Sequence, residues 1–146
     1  MLPEIILKIL LEKSLNQGKT IFDKYFDNFD KIVNETCSYF ERKYFGFSGT
    51  NLKEFLNSSE FKNQLLHHDN YRDLDYDSLG NVLSSYINVA EGISAKEILL
   101  EFFIELENNI NKQPELRNQL ILEYQRSHDR KLSNIQKSVD DIEQQK

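Results

Sequence analysis

The feature that most constrains this chain is a stripe of large side chains. Phe22, Tyr25, Phe26, Phe29, Ile32, Val33, Thr36, Cys37, Phe40 and Tyr44 recur at steps of three and four residues. That spacing matches the turn of an α-helix and lines up one continuous face. Asp23, Lys24, Asp27, Asp30, Lys31, Glu35, Glu41 and Arg42 fall largely off the stripe. The spacing predicts a helix over 19–45, capped by Gly46 and long enough to serve as the spine of a bundle. Alternation of period two is not sustained anywhere, and five Gly and two Pro are too few for a chain of tight β-turns.

The rest of the chain is punctuated in the same way. Pro3 suits the first turn of a helix carrying Leu2, Ile5, Ile6, Ile9 and Leu10, which runs to Asn16 and is broken by Gly18. Asn51 and Glu54 have capping-box-like spacing before Leu52, Phe55 and Leu56, and Ser58-Ser59 divides this run from Phe61, Leu65 and Leu66. Two short helices over 51–57 and 59–67 are expected, followed by a polar loop from His67 to Asp75. Asp77 is placed to cap a helix over 78–90 bearing Leu79, Val82, Leu83, Tyr86, Ile87 and Ala90, with Gly92 ending it. Ser94 and Glu97 form a capping box for a helix over 95–111. This helix is apolar nearly all round at its centre, as a central helix must be. Pro114 opens the last helix, expected to run past residue 140.

That last helix changes character along its length. Leu116, Leu120, Ile121 and Tyr124 are core-like. Beyond them Leu132, Ile135, Val139 and Ile142 form a narrow seam of coiled-coil spacing among charged and amide side chains. Either the seam rests on its own bundle as a solvated stripe, or it packs on another chain. The expected fold is therefore an all-α helical bundle with a long second helix and a protruding, partly coiled-coil-like C-terminal helix. Residues 1–126 form the bundle and 127–146 extend its last helix as an interaction tail or linker. The four seam residues are the candidate interaction site.

With 146 residues the chain is expected to form one domain with a single core. One Cys excludes a disulfide framework and a cysteine zinc site, and a net charge of −6 argues against nucleic acid as the target. Lys112, Arg117, Arg126, Arg130, Lys131 and Lys137, against Glu115, Glu123 and Asp129, nevertheless make the last helix locally basic. No run reaches the length of a membrane span. The first residues carry Glu4, Lys8, Glu12 and Lys13, so they lack the uninterrupted apolar region of a secretory signal. A cytoplasmic protein is expected.

Chemistry-bearing patterns are sparse. His67-His68-Asp69 is the one His cluster, but adjacent positions on a helix point about 100° apart and poorly share a metal. Asp73-Leu-Asp75-Tyr-Asp77 begins like a calcium loop, yet Ser78 and Ser84 stand where Gly and Glu are required. Gly46 and Gly49 are not followed by Lys-Ser/Thr, and G-x-S-x-G is absent. Cys37 lies on the apolar stripe, where a nucleophile has no access. No catalytic residue, metal or cofactor is expected.

The segment Tyr44-Phe-Gly-Phe-Ser-Gly-Thr-Asn-Leu-Lys-Glu-Phe-Leu-Asn-Ser-Ser-Glu-Phe, ending at Phe61, precedes a helix-rich stretch. Ile98-Leu-Leu-Glu-Phe-Phe-Ile-Glu-Leu, Gln113-Pro-Glu-Leu and a charged helix with Ile135 and Ile142 follow. This order resembles the helical N-terminal regions ahead of the NTPase domain in bacterial NACHT-type and related STAND ATPases, many tied to anti-phage defence. The likeness spans roughly residues 40 to 142. It implies an all-helical module that senses, transmits or oligomerises. No Walker A motif follows among these residues, so no ATP-binding residue carries over, and a fragment and a stand-alone helical protein both fit. The expected function is protein–protein interaction in signalling or assembly, through a protein partner or self-association. The alternatives are a stand-alone self-associating adaptor or inhibitor of a larger effector, and a membrane-acting bundle that releases residues 2–15 onto a bilayer.

Overall fold

A computed structural model describes residues 1–15, 22–88 and 92–127 of the chain. Every regular element among them is helical, and no strand forms. In chain order these are α1 (Leu2–Leu15), a 3-10 turn (Asp23–Tyr25), α2 (Phe26–Lys43), α3 (Gly49–Leu56), α4 (Ser59–His67), a second 3-10 turn (Tyr71–Asp73), α5 (Tyr76–Leu83) and α6 (Ala95–Asn111). A last helix, α7, is described over 114–127, with Pro114 in its first turn.

The aromatic stripe faces the core as its spacing predicts. Phe29, Ile32, Val33, Thr36, Cys37 and Phe40 are buried along α2. The helix is shorter than expected, because the segment ahead of Phe26 winds as a 3-10 turn. Tyr25 N–H donates to the Phe22 carbonyl at 2.9 Å. At three residues per turn, positions 22 and 25 stack on one side, and both side chains are buried. The other end stops at Lys43, and Gly46 serves the turn beyond rather than the cap itself. Its φ is +84°, and a Cβ there would lie 2.8 Å from the Asn88 carbonyl oxygen. Only glycine fits both the left-handed backbone and that approach.

Caps explain the other boundaries. Ser94 accepts from Glu97 N–H at 3.2 Å, as its spacing predicts. For α3 the cap is Ser48, not Asn51. Its hydroxyl accepts from Asn51 N–H, while Glu41 reaches across from α2 to accept from Gly49 N–H at 2.9 Å. That tertiary bond starts the helix earlier than local spacing indicates. Ser58 caps α4 through Phe61 N–H. Asp75, rather than Asp77, caps α5 through Ser78 N–H. Helix α5 ends at Leu83 instead of residue 90, because Ser84 and Ser85 donate their hydroxyls to the Asn81 and Val82 carbonyls and divert the helical ladder.

Helix α6 is the centre, packed between α2 and α5 and touching α1. Ile98, Leu99, Phe102, Phe103, Leu106 and Ile110 are all fully buried on it. Aromatic rings link its neighbours. Phe40 meets Tyr44, Phe47 and Phe102, while Phe103 stacks between Phe61 and Tyr71. Tyr71 corrects the expected polar loop between α4 and α5. It is completely buried, its hydroxyl donating to Glu107 at 3.0 Å, and Leu74 is buried beside it in sequence. Leu2, Ile5, Ile6, Leu7 and Ile9 bury α1 against the same body, and Leu116 and Leu120 anchor α7.

Candidate interaction surfaces

The seam residues Leu132, Ile135, Val139 and Ile142 lie outside the described residues, as does His128. What is described is the approach to them. Ile121 and Tyr124 pack partly against the core, and Leu122 faces outward. Helix α7 is therefore buried at Leu116 and Leu120 and partly buried at Ile121 and Tyr124.

At that point it borders a cleft of about 720 Å³ between α1, α4 and α7. Leu7, Leu11, Leu65 and Leu66 supply apolar lining. Glu4, Glu12 and Asp69 bring carboxylates to it, and Lys8 is the cation among them, its Nζ 5.9 Å from the Tyr124 ring centroid. Glu4 also takes the Met1 ammonium at 3.2 Å. Burial pushes the Tyr124 hydroxyl above its ordinary pKa, and the negative charges of Glu4 and Asp69 push it the same way. Leu66 is 60% exposed, a large apolar side chain left in water beside this cleft.

The His pair divides here. His67 Nδ1 lies 2.8 Å from the Asn63 carbonyl of its own helix, while His68 and Asp69 line the cleft. Among the described residues no group of three or more His, Cys, Asp or Glu side chains is placed to hold a metal ion. In the Asp73–Asp77 segment Asp75 is used as a cap, and Asp77 pairs with Lys96 at 3.0 Å. Cys37 is buried, and that burial pushes its thiol up to about 11.

A second surface follows the outer edge of the α2–α6 contact. Lys43 and Tyr44 both donate to Glu101, and Asn109 donates to Thr36 at 2.9 Å. These bonds set the two helices antiparallel. The hydrogen bond to Glu101 holds the Lys43 ammonium above its usual pKa. Burial pushes the Glu101 carboxyl up, but the hydrogen bonds from Lys43 and Tyr44 and the Lys43 charge outweigh it, leaving the carboxyl below its usual value. Tyr39, Leu100 and Ile104 are exposed along the same pair of helices. Phe45, in the turn after α2, is 92% exposed. It stands between Tyr44, tied to Glu101, and Gly46, pressed near Asn88.

Sequence reasoning missed Phe45 and Leu66 as surface residues. Neither carries a local signal, since each occupies a position that a helix–turn pattern equally assigns to a core. Among the described residues no helix is long and apolar enough to cross a membrane. Compared with known protein families, with curated proteins and with solved structures, the chain matches none.

Proposed function

We propose that this chain is a non-enzymatic protein–protein interaction module for signalling or assembly. The observation that carries the reading is Phe45, a bulky aromatic almost entirely in water on a turn held at both sides. Exposed aromatic side chains on a rigid support are the residues that anchor protein interfaces. Leu66 and Leu122 add further apolar surface. Several described carboxylates have structural partners: Asp75 is a cap, and Glu101 and Glu107 receive tyrosine hydroxyls. The helical architecture accords with the resemblance to regions ahead of NACHT and STAND NTPase domains, and hence with a place in prokaryotic anti-phage defence. Action on a membrane by α1 has less support. Ile5, Ile6 and Ile9 are fully buried, and releasing each would forfeit roughly 1.5–3 kcal/mol of burial.

The test is co-purification from the native host with three full-length baits: the wild type, Phe45→Ser, and Ile135→Asp with Val139→Asp. A protein retained by the wild type and lost by either variant is the expected result. An identical set of captured proteins for all three baits refutes the reading.

A further inference from the structure

Deepening that reading, and resting on it, we infer that Tyr39, Tyr44 and Glu101 form an ammonium-binding site, filled in the free chain by Lys43 and taken in the complex by a lysine of the protein partner. The Lys43 ammonium shows what the site holds. Its Nζ lies 5.7 Å from the Tyr39 ring centroid and 5.3 Å from that of Tyr44, and it donates to Glu101. The electron-rich face of an aromatic ring attracts a cation within about 6 Å, so two rings and a carboxylate about one nitrogen suit an ammonium. A hard metal ion wants several oxygen ligands, and this site offers ring faces and one carboxylate.

The walls of the site are fixed, and its occupant is not. Phe40 is fully buried behind them, meeting Tyr39 edge-on at 5.6 Å and stacking on Tyr44 at 5.7 Å. The Tyr44 hydroxyl donates to Glu101 Oε2, which leaves Oε1 for the ammonium. The Lys43 side chain, by contrast, is 41% exposed and ends a flexible four-carbon stem. A preorganised site costs little to fill again. Exchanging one ammonium for another keeps the ring and carboxylate contacts and returns rotamer freedom to Lys43.

The surroundings point to a protein as the source of that ammonium. Phe45 follows Tyr44 in the chain, Leu100 precedes Glu101, and both side chains are exposed. A lone small cation covers neither. A lysine displayed on a partner brings apolar neighbours with it, and covering Phe45 supplies the gain that the exchange of ammonium groups does not. Recognition then demands a cation and an apolar neighbour together, which narrows the range of surfaces accepted.

Titrations of the full-length chain, followed by nuclear magnetic resonance of the Tyr39 and Tyr44 rings, test this. The probes are Nα-acetyl-lysine methylamide and tetramethylammonium chloride, with sodium chloride as the control. Lys43→Ala empties the site and should bind the lysine probe about tenfold or more tightly than the wild type, because an occupied site lowers apparent affinity by the fraction of molecules left open. Lys43→Ser is a second opening variant, and circular dichroism checks that each keeps the helical fold. Adding Tyr39→Leu or Glu101→Gln to Lys43→Ala should abolish the gain. Binding of the lysine probe on this pattern, with or without tetramethylammonium, supports the inference. Equal affinity in the wild type and the opened variants overturns it, as does a gain that survives both added changes. Binding of tetramethylammonium alone overturns the assignment to a partner's lysine. If the titrations fail while the co-purification baits still differ, the ammonium site falls and the interaction-module reading stands; identical baits refute that reading whatever the titrations show.

Discussion

Replacing Phe103 by alanine should cost this protein a large part of its stability. The ring is fully buried where α4, α6 and the 71–73 turn meet. Its centroid lies 5.2 Å from Tyr71 with planes 12° apart, and 6.2 Å from Phe61 with planes 17° apart. Phe102 approaches edge-on at 5.8 Å. Truncating a buried Phe costs about 3–5 kcal/mol through lost transfer energy and the cavity left behind. Each ring pair adds about 0.5–1.5 kcal/mol beyond area burial, which places this site near the upper end, about 4–5 kcal/mol. A domain of this size has a total stability of roughly 5–15 kcal/mol. With a urea slope of about 2 kcal/mol per molar, the unfolding midpoint should fall by about 2 M. Urea unfolding followed by far-ultraviolet circular dichroism reads this directly. Phe45→Ala is the matched control, with an expected change within about 0.5 kcal/mol because its ring already lies in water. A loss under about 1.5 kcal/mol for Phe103→Ala, or equal losses for the two variants, would refute the ring stack as a keystone of the core.

Two glycines with positive φ should respond differently to alanine. Gly46→Ala meets the Asn88 carbonyl oxygen at 2.8 Å and is expected to cost about 2–3 kcal/mol, whereas Gly92→Ala meets nothing within 4 Å and should cost about 1 kcal/mol, both read from urea midpoints. The Cys37 thiol, buried and pushed up to about 11, should resist a neutral-pH thiol reagent in the folded protein and react on unfolding, and rapid native labelling would contradict its placement. The Glu101 carboxyl sits below its unfolded pKa, so its contribution to stability is present above about pH 4.5 and is lost as pH falls through the lower folded value. Glu101→Gln should flatten that part of the acid-unfolding curve, and a curve as steep as the wild type's would count against the Lys43–Tyr44–Glu101 cluster.

Periodicity located the buried faces well because burial follows the helical repeat wherever one face meets the core. The α2 stripe and the apolar centre of α6 were legible for that reason. The Ser94 cap was legible because a cap is a contact between residues three apart. Elsewhere a distant group changed a local choice. Glu41 reaches from α2 to the first N–H of α3. Tyr71 lies in a polar stretch, yet the gap beside Phe103 and the carboxylate of Glu107 claim its ring and hydroxyl. Phe45 is the converse, an aromatic of the same chemical type that no neighbouring element covers.

By itself the amino-acid order determined the class of the molecule: helices, their approximate limits, which face of each is greasy, and the absence of strand patterning. Those are consequences of spacing along the chain, and each follows from interactions within a few turns. Tertiary packing alone decided that α6 is embraced by α2 and α5, that a tyrosine in a charged loop becomes core, and that α1, α4 and α7 leave a carboxylate-bearing cleft open between them. The reason is that covering a surface requires a partner from elsewhere in the chain, and the identity of that partner is fixed by how whole helices fit together.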